Sequence, residues 1–64
     1  MERNMKLKAA IFKFGVSQRK LARKARVPES YLSQAINGRY ILDERQRRRI
    51  ASALGVNDPS ILGL

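Results

Sequence analysis

Apolar residues recur at helical spacing along most of the chain, and no stretch shows the alternation with a period of two that is typical of a β-strand. Gly15, Gly38 and Gly55 each end such a stretch, whereas Pro28 and Pro59 each stand near the start of one. Proline is favoured in the first turn of a helix, and glycine is favoured just past the last turn. The pattern therefore predicts an all-α chain of five short helices.

The first predicted helix, residues 4–14, is apolar on two opposite sides. One side holds Leu7, Ala10, Ile11 and Phe14, and the other holds Met5, Ala9 and Phe12. A helix that is apolar on two sides has to be covered on both. We expect the C-terminal segment to cover the second side, so that Met5 and Phe12 belong to the core.

The second and third predicted helices are separated by a turn of about three residues. The second begins after Ser17, a residue type that caps helices well, and ends near Ala25 because the residue before Pro28 is pushed towards extended geometry. The third occupies about residues 28–37, and its polar and apolar residues fall on separate arcs. The polar arc consists of Glu29, Ser30, Ser33, Gln34 and Asn37. Two short helices of which the second has a small polar face are typical of a helix-turn-helix that places this face in the major groove of DNA.

Two further helix starts are predicted towards the C-terminus. Asp43 followed by Gln46 has the spacing of a capping box, and Gly55 is expected to end that helix. Asp58 and Pro59 then predict the N-cap and first residue of one or two last turns. The side chains of Ile61, Leu62 and Leu64 exceed what a terminal turn needs, so we expect part of them to form a weak homodimer contact.

The composition limits the chemistry available to the chain. Its 64 residues, expected to form a single domain over 1–64, include no Cys and no His, which excludes disulfide frameworks, zinc fingers and haem attachment. We expect no metal and no cofactor. We also expect no enzymatic activity, because the five carboxylates lack the spacing of a catalytic pair and no His is present as a base.

The charge indicates an anionic partner. Lys and Arg number 14 against 5 Asp and Glu, which gives a net charge of +9, and residues 1–27 alone carry +8. Double-stranded DNA, a membrane surface and an acidic protein all fit such a charge. No apolar run is long enough for a membrane span or a secretory signal, so we expect a cytoplasmic protein.

Three segments taken together resemble a known family. They are QRKLARKA at residues 18–25, VPESYLSQ at residues 27–34 and NGR at residues 37–39. They are similar to the lambda-repressor-like, Cro-type helix-turn-helix family (XRE family), and residues 43–56 look like its fourth helix. The resemblance covers about residues 5–62. It implies a compact five-helix DNA-binding domain in which helices 2 and 3 form the helix-turn-helix.

The resemblance also implies roles for single residues. The residues expected to face bases are Glu29, Ser30, Ser33 and Gln34. Those expected to meet backbone phosphates are Gln18, Asn37, Gly38 and Arg39, to which the charge pattern adds Arg19 and Arg23 and the hydroxyl of Tyr31. Glu29 could instead only complement the N-terminus of its helix, and Tyr31 could instead lie at the edge of the core. The cluster Arg45, Arg47, Arg48 and Arg49 is either a further phosphate surface or solvated surface.

Three positions depart from the family pattern. Arg26 stands at a turn position where the family often has glycine, which costs about 1 kcal/mol if its φ is positive. Pro28 stands where Ser or Thr would cap the third helix. Ala35 is small for a position that faces the core, and we expect Ile36 to fill the space.

The sequence and the resemblance thus favour a sequence-specific DNA-binding transcriptional regulator that acts as a dimer on two half-sites. The resemblance implies a repressor like those of phages and plasmids, in the cytoplasm of a prokaryote or a phage-infected cell. An antitoxin or another protein-interaction module of the same fold is the alternative, although we expect an antitoxin to carry an extra segment for its toxin. A basic peptide that lies on a membrane surface is a third reading, which short capped helices disfavour.

Overall fold

Four α-helices and one 3₁₀ turn make up the fold in a computed structural model that describes residues 3–64. The helices are α1 (Met5–Phe14), α2 (Gln18–Ala25), α3 (Glu29–Ile36) and α4 (Glu44–Ala53), and a 3₁₀ turn (Pro59–Leu62) follows them. The part of the chain that is described contains no β-strand. The all-α prediction is confirmed, whereas the count of five helices is wrong because the last element is not an α-helix.

The C-terminal turn is short because both of its ends are fixed locally. The carboxylate of Asp58 accepts from the backbone N–H of Ser60 at 3.0 Å, and Pro59 occupies the first position of the turn. Gly63, with φ 72°, ends it after four residues, and a Cβ at this position would lie 2.7 Å from Oδ1 of Asn4. The backbone N–H of Ser60, and then its hydroxyl, lower the pKa of Asp58 below its ordinary value. The cap therefore weakens as the pH falls through that lowered pKa.

Side-chain caps also set the starts of α1, α2 and α4. Oδ1 of Asn4 accepts from the N–H of Leu7 at 3.0 Å, and Oγ of Ser17 accepts from the N–H of Lys20 at 3.1 Å. The capping box predicted for α4 is present in both directions: Oδ1 of Asp43 lies 2.7 Å from the N of Gln46, and Oε1 of Gln46 lies 3.0 Å from the N of Asp43.

The third helix is one residue shorter at each end than the predicted 28–37. Pro28 lies outside it in an extended conformation, with φ −54° and ψ 136°, and makes no side-chain cap. Asn37 follows the last helical residue as the C-cap. Proline without a capping oxygen explains why the start of this helix differs from that of α1, α2 and α4.

One apolar core joins all of these elements. Helix α2 packs against both α3 and α4, α1 packs against α3, and the 3₁₀ turn packs against α1 and α4. The buried residues are Leu7, Ile11, Leu21, Ala22, Ala25, Val27, Leu32, Ala35, Ile36, Leu42, Ile50, Ala51, Ala53, Leu54 and Leu62. No polar or charged side chain within residues 3–64 is buried. The expectation that Ala35 and Ile36 both face the core is confirmed, and α3 is held by its apolar side.

The two ends of the described chain are tied together by one side chain. Nδ2 of Asn4 donates to the carbonyl oxygen of Leu62 at 2.9 Å and to that of Gly63 at 3.3 Å. The backbone N–H of Asn4 donates to the carbonyl oxygen of Ile36 at 2.6 Å. The start of α1, the end of α3 and the C-terminal turn therefore meet at one residue.

The C-terminal segment does not cover the side of α1 that holds Met5, Ala9 and Phe12, and this prediction is wrong. Met5 is 62% exposed and Phe12 is 89% exposed, so neither belongs to the core. The reason is that Leu62 is buried on the core side of α1, where its backbone is bonded to Asn4. A turn of four residues has no second side chain that reaches around the helix.

Phe14, predicted on the buried side of α1, is also largely outside the core. It is 46% exposed at the last position of the helix, next to Gly15 in the left-handed conformation. Nζ of Lys24 lies 5.7 Å from the centroid of its ring, a cation–π distance. The end of α1 thus meets α2 through the ammonium group of Lys24.

Candidate nucleic-acid interface

Helices α2 and α3 are joined by a turn whose backbone N–H groups donate to the last carbonyl oxygens of α2. Arg26 adopts the left-handed conformation with φ 57° and ψ 39°, and its N–H donates to the carbonyl oxygen of Arg23 at 3.2 Å. The N–H of Val27 donates to the carbonyl oxygen of Ala22 at 3.0 Å, and the side chain of Val27 is buried. These bonds and the apolar contact are those of a Schellman motif. They fix the angle at which α3 leaves α2.

The face of α3 opposite the core is polar and accessible. Leu32, Ala35 and Ile36 are buried, and the remaining positions point away from them. Glu29, Ser30 and Gln34 are exposed, and Ser33 is half-buried. The structure therefore brings the four predicted base-contacting residues together on one helix face, on which three side chains are exposed and Ser33 is partly covered.

Apart from Tyr31, the predicted phosphate-contacting residues lie on α2 and in the chain just after α3. On α2 they are Gln18, which is half-buried, and the exposed Arg19 and Arg23, which lie one helical turn apart. After α3 they are Asn37, Gly38 and Arg39, where Gly38 has φ 76° and the N–H of Arg39 donates to the carbonyl oxygen of Gln34 at 2.8 Å. These residues therefore lie on the helix that packs against α3 and in the turn that follows it.

Tyr31 connects α3 to the loop that follows it. Its ring stacks on the ring of Tyr40, with centroids 4.8 Å apart and an angle of 29° between the planes. The hydroxyl of Tyr40 donates to Oε1 of Gln46 at 3.3 Å, the same oxygen that accepts from the N–H of Asp43 in the capping box. Tyr31 is 42% exposed, so it lies at the edge of the core with part of its surface open to solvent.

The role of Tyr40 is not predicted by the sequence analysis. Its position in a loop gives it no periodic partner, and the aromatic pair joins residues from two elements. The aromatic type at both positions is the only signal in the sequence that could have suggested the stack.

The arginine cluster of α4 is divided between two surfaces. Arg47 is half-buried and lines a groove together with Gly38 and Tyr40, next to the predicted DNA-contacting loop. Arg45, Arg48 and Arg49 line a different cleft, between α4 and the end of α2. The four arginines are neighbours in the sequence, but the turn of the helix places Arg47 on a different surface from the other three.

Residues 3–64 hold no group of three or more His, Cys, Asp or Glu side chains that could bind a metal ion. In the same residues no helix has the length and apolar character needed to cross a bilayer.

Comparisons with known proteins agree with this geometry. The family described as "Helix-turn-helix domain" matches residues 2–61. The fold is similar to the crystal structure of the restriction-modification controller protein C.AhdI from Aeromonas hydrophila, with a TM-score of 0.85 and 24% identity over 92% of this chain and 88% of that chain. No curated protein matches this sequence. The chain belongs to the family described as a helix-turn-helix domain.

Proposed function

We propose that the protein is a sequence-specific DNA-binding transcriptional regulator that inserts α3 into the major groove. The observation that carries this proposal is the division of α3 into a buried apolar side and an accessible face of small polar residues. Short polar side chains allow the helix to approach the base edges closely, and their donors and acceptors match the pattern displayed in the groove. The fold likeness to a restriction-modification controller protein is consistent with a regulatory role.

Base recognition is assigned to Glu29, Ser30, Ser33 and Gln34. Gln34 is exposed on this face, and a glutamine amide can make two hydrogen bonds to the edge of an adenine. Glu29 can accept from the amino group of cytosine. Since α3 itself carries no Lys or Arg, base contacts rather than charge dominate this helix.

Phosphate contacts are assigned to a second group of residues. Arg19, Arg23 and Arg39 supply charge, and all three are exposed. The list is completed by Gln18, Asn37 and Gly38, and by the hydroxyl of Tyr31. Contacts to phosphates fix the position of a protein on the duplex without distinguishing sequences. This division predicts different effects for substitutions in the two groups.

The test begins with selection of bound sites from random duplex DNA by the full chain. Gln34→Ala and Ser33→Ala are expected to cost about 1–3 kcal/mol on the preferred site and to relax the preference at particular base pairs. Arg39→Ala is expected to weaken binding to all sequences alike. Ser52→Ala is a matched control, because Ser52 is an exposed serine on α4. If the α3 variants keep the full site preference, α3 is not the base-contacting helix.

We further infer that two copies of the chain bind two half-sites and contact each other through the groove that Arg47 and Gly38 line. The same groove is lined by Leu64 and by Ile41, which is 83% exposed. Ile61, which shortly precedes Leu64 in the sequence, is 64% exposed. One domain of this size buries only about 600–1,000 Å² on DNA, so a second copy adds useful specificity. An apolar contact beside the DNA-contacting loop would place two copies of α3 on one side of the duplex.

The dimer is tested with point variants, since deleting residues 61–64 would remove the buried Leu62 from the core. Ile41→Glu with Ile61→Glu is expected to abolish cooperative binding to a paired site while single half-site binding remains. Phe12→Glu is the control, because Phe12 is 89% exposed on another side of the molecule. Equal affinity of the unmodified chain for a single half-site and a paired site would contradict the dimer.

A further inference from the structure

A second basic surface lies away from α3, in a cleft of about 690 Å³ between α2 and α4. Five of its lining residues are basic, namely Lys24, Arg26, Arg45, Arg48 and Arg49. Lysine and arginine on a surface are ordinarily scattered among acidic residues. Here the lining contains one acid, Glu44, so the cleft has a strong positive charge.

Most of this charge is not neutralised within the protein. Arg48 pairs with Glu44 at 2.6 Å, and this is the single ion pair within residues 3–64. Arg45 and Arg49 lie one helical turn apart on the same side of α4, both exposed. Like charges at this spacing destabilise a helix. An anionic partner in the cleft would relieve the repulsion.

The cleft is separate from the surface assigned to DNA. Its lining includes no residue of α3 and none of residues 37–39. On α2 the two surfaces use different flanks, since Lys24 lies one position beyond Arg23 and therefore about 100° further around the helix. Both surfaces could accordingly be occupied at the same time.

The floor of the cleft favours a protein over a nucleic acid as the partner. Ala25 and Ala53 lie at the floor of the cleft, which is apolar but small, since 3% of Ala25 and 7% of Ala53 is exposed. Their small side chains leave room for an apolar side chain of a partner between the surrounding cations. A phosphate backbone makes no use of such a floor, and no aromatic side chain lines the cleft for stacking on a base.

We propose that the cleft between α2 and α4 binds an acidic segment of a partner protein, in which carboxylates flank a leucine-like side chain. The carboxylates pair with Arg45, Arg49 and Lys24, and the apolar side chain lies on Ala25 and Ala53. The proposal does not depend on base recognition by α3. It gives a DNA-bound copy of the protein a second surface through which another protein can be held.

The first experiment measures the fluorescence anisotropy of a labelled synthetic peptide in which Glu and Asp residues flank two leucines. Arg45→Gln with Arg49→Gln is expected to weaken binding by the full chain by about tenfold. Lys6→Gln with Lys8→Gln removes the same charge from exposed positions of α1 and is expected to weaken it by no more than about twofold. An equal loss of peptide affinity in the two double variants would mean that net charge alone attracts the peptide, and it would overturn the proposal.

A second variant keeps every basic residue. Ser52→Glu adds a carboxylate within the cleft and is expected to abolish peptide binding, whereas Ala9→Glu, at an exposed position of α1, is expected to leave most of it. Backbone amide NMR shifts on peptide addition are expected to change mainly at residues 24–26 and 45–53. Shifts that centre on α3 instead would overturn the assignment of the cleft.

The third experiment separates this proposal from the DNA-binding function. Gln34→Ala is expected to lose DNA site preference and to keep peptide binding. Arg45→Gln with Arg49→Gln is expected to lose peptide binding and to keep DNA site preference. A preferred duplex added to the peptide complex is expected to form a ternary complex. Displacement of the peptide by DNA, together with weaker DNA binding of the cleft variant, would show a phosphate-binding surface and would overturn the proposal.

Discussion

At the scale of single residues, Arg26 has the least favourable backbone conformation in the described chain. It is the one residue other than glycine within residues 3–64 that has a positive φ. A left-handed conformation costs a residue with a Cβ about 1–2 kcal/mol. The departure of Arg26 from the family pattern predicted this cost for the case of a positive φ, and the observed φ is 57°.

Replacing Arg26 by glycine is therefore expected to stabilise the fold. Arg26→Gly removes the cost of the left-handed conformation but increases the freedom of the unfolded chain, which leaves a net gain of about 0.5–1 kcal/mol in the free energy of unfolding. Urea denaturation followed by circular dichroism measures it. The matched control is Arg23→Gly inside α2, which is expected to lose about 1 kcal/mol. Destabilisation by Arg26→Gly would mean that its side chain makes a stabilising contact.

Two other residues show where sequence patterns stop being informative. Met5 and Phe12 have the spacing of a buried helix side, yet both are exposed. The period of a helix shows which residues share a side and not which side meets the rest of the chain. Since α1 has two apolar sides, only the packing of other elements could decide between them.

At the scale of elements, the predictable features are those with local causes. The caps at Ser17 and Asp43 depend on residues three positions away and were predicted. The stacked pair of Tyr31 and Tyr40 and the bonds made by Asn4 join separate elements, and they were not predicted. The polar face of α3 was predicted because one helix contains all of its residues.

Asn4 provides the prediction at this scale, since its side chain serves two elements, α1 and the C-terminal turn. Asn4→Ala removes the cap of α1 and the bonds to the carbonyl oxygens of Leu62 and Gly63, so we expect a loss of about 2 kcal/mol in the free energy of unfolding. Asn57→Ala is the control, because Asn57 is exposed in a loop, and it is expected to change stability by no more than about 0.5 kcal/mol. Thermal and urea denaturation of both variants provide the comparison.

A loss at Asn4 no larger than that at Asn57 would contradict the role of this residue as a link between the ends of the chain. A chemical probe distinguishes the cap from the link. Asn4→Asp keeps an oxygen that can accept from the N–H of Leu7 but has no N–H group for Leu62 and Gly63. We expect its stability to lie between those of the unmodified chain and Asn4→Ala.

At the scale of the whole molecule, the charge is divided between two faces. The sequence showed the excess of positive charge in residues 1–27 and a second group on α4. It could not show that Lys24 and Arg26 join three arginines of α4 in one cleft, because α2 and α4 meet only through the packing of the core. The fold class and the polar face of α3 were therefore predictable, and the second basic surface was not.

This division leads to the last prediction, which concerns salt. Each phosphate contact of a basic side chain releases condensed counterions, so about five to seven contacts per copy give a slope of about −5 to −6 in a plot of log affinity against log salt concentration. Arg39→Ala is expected to reduce the slope by about one. Arg45→Gln with Arg49→Gln removes more charge, yet it is expected to leave the slope nearly unchanged because the α2–α4 cleft lies outside the assigned DNA surface. Affinities for a selected site between about 50 and 200 mM salt measure all three. An affinity that hardly varies over that range would contradict the phosphate assignments, and a slope reduced by the cleft variant would place DNA in the cleft.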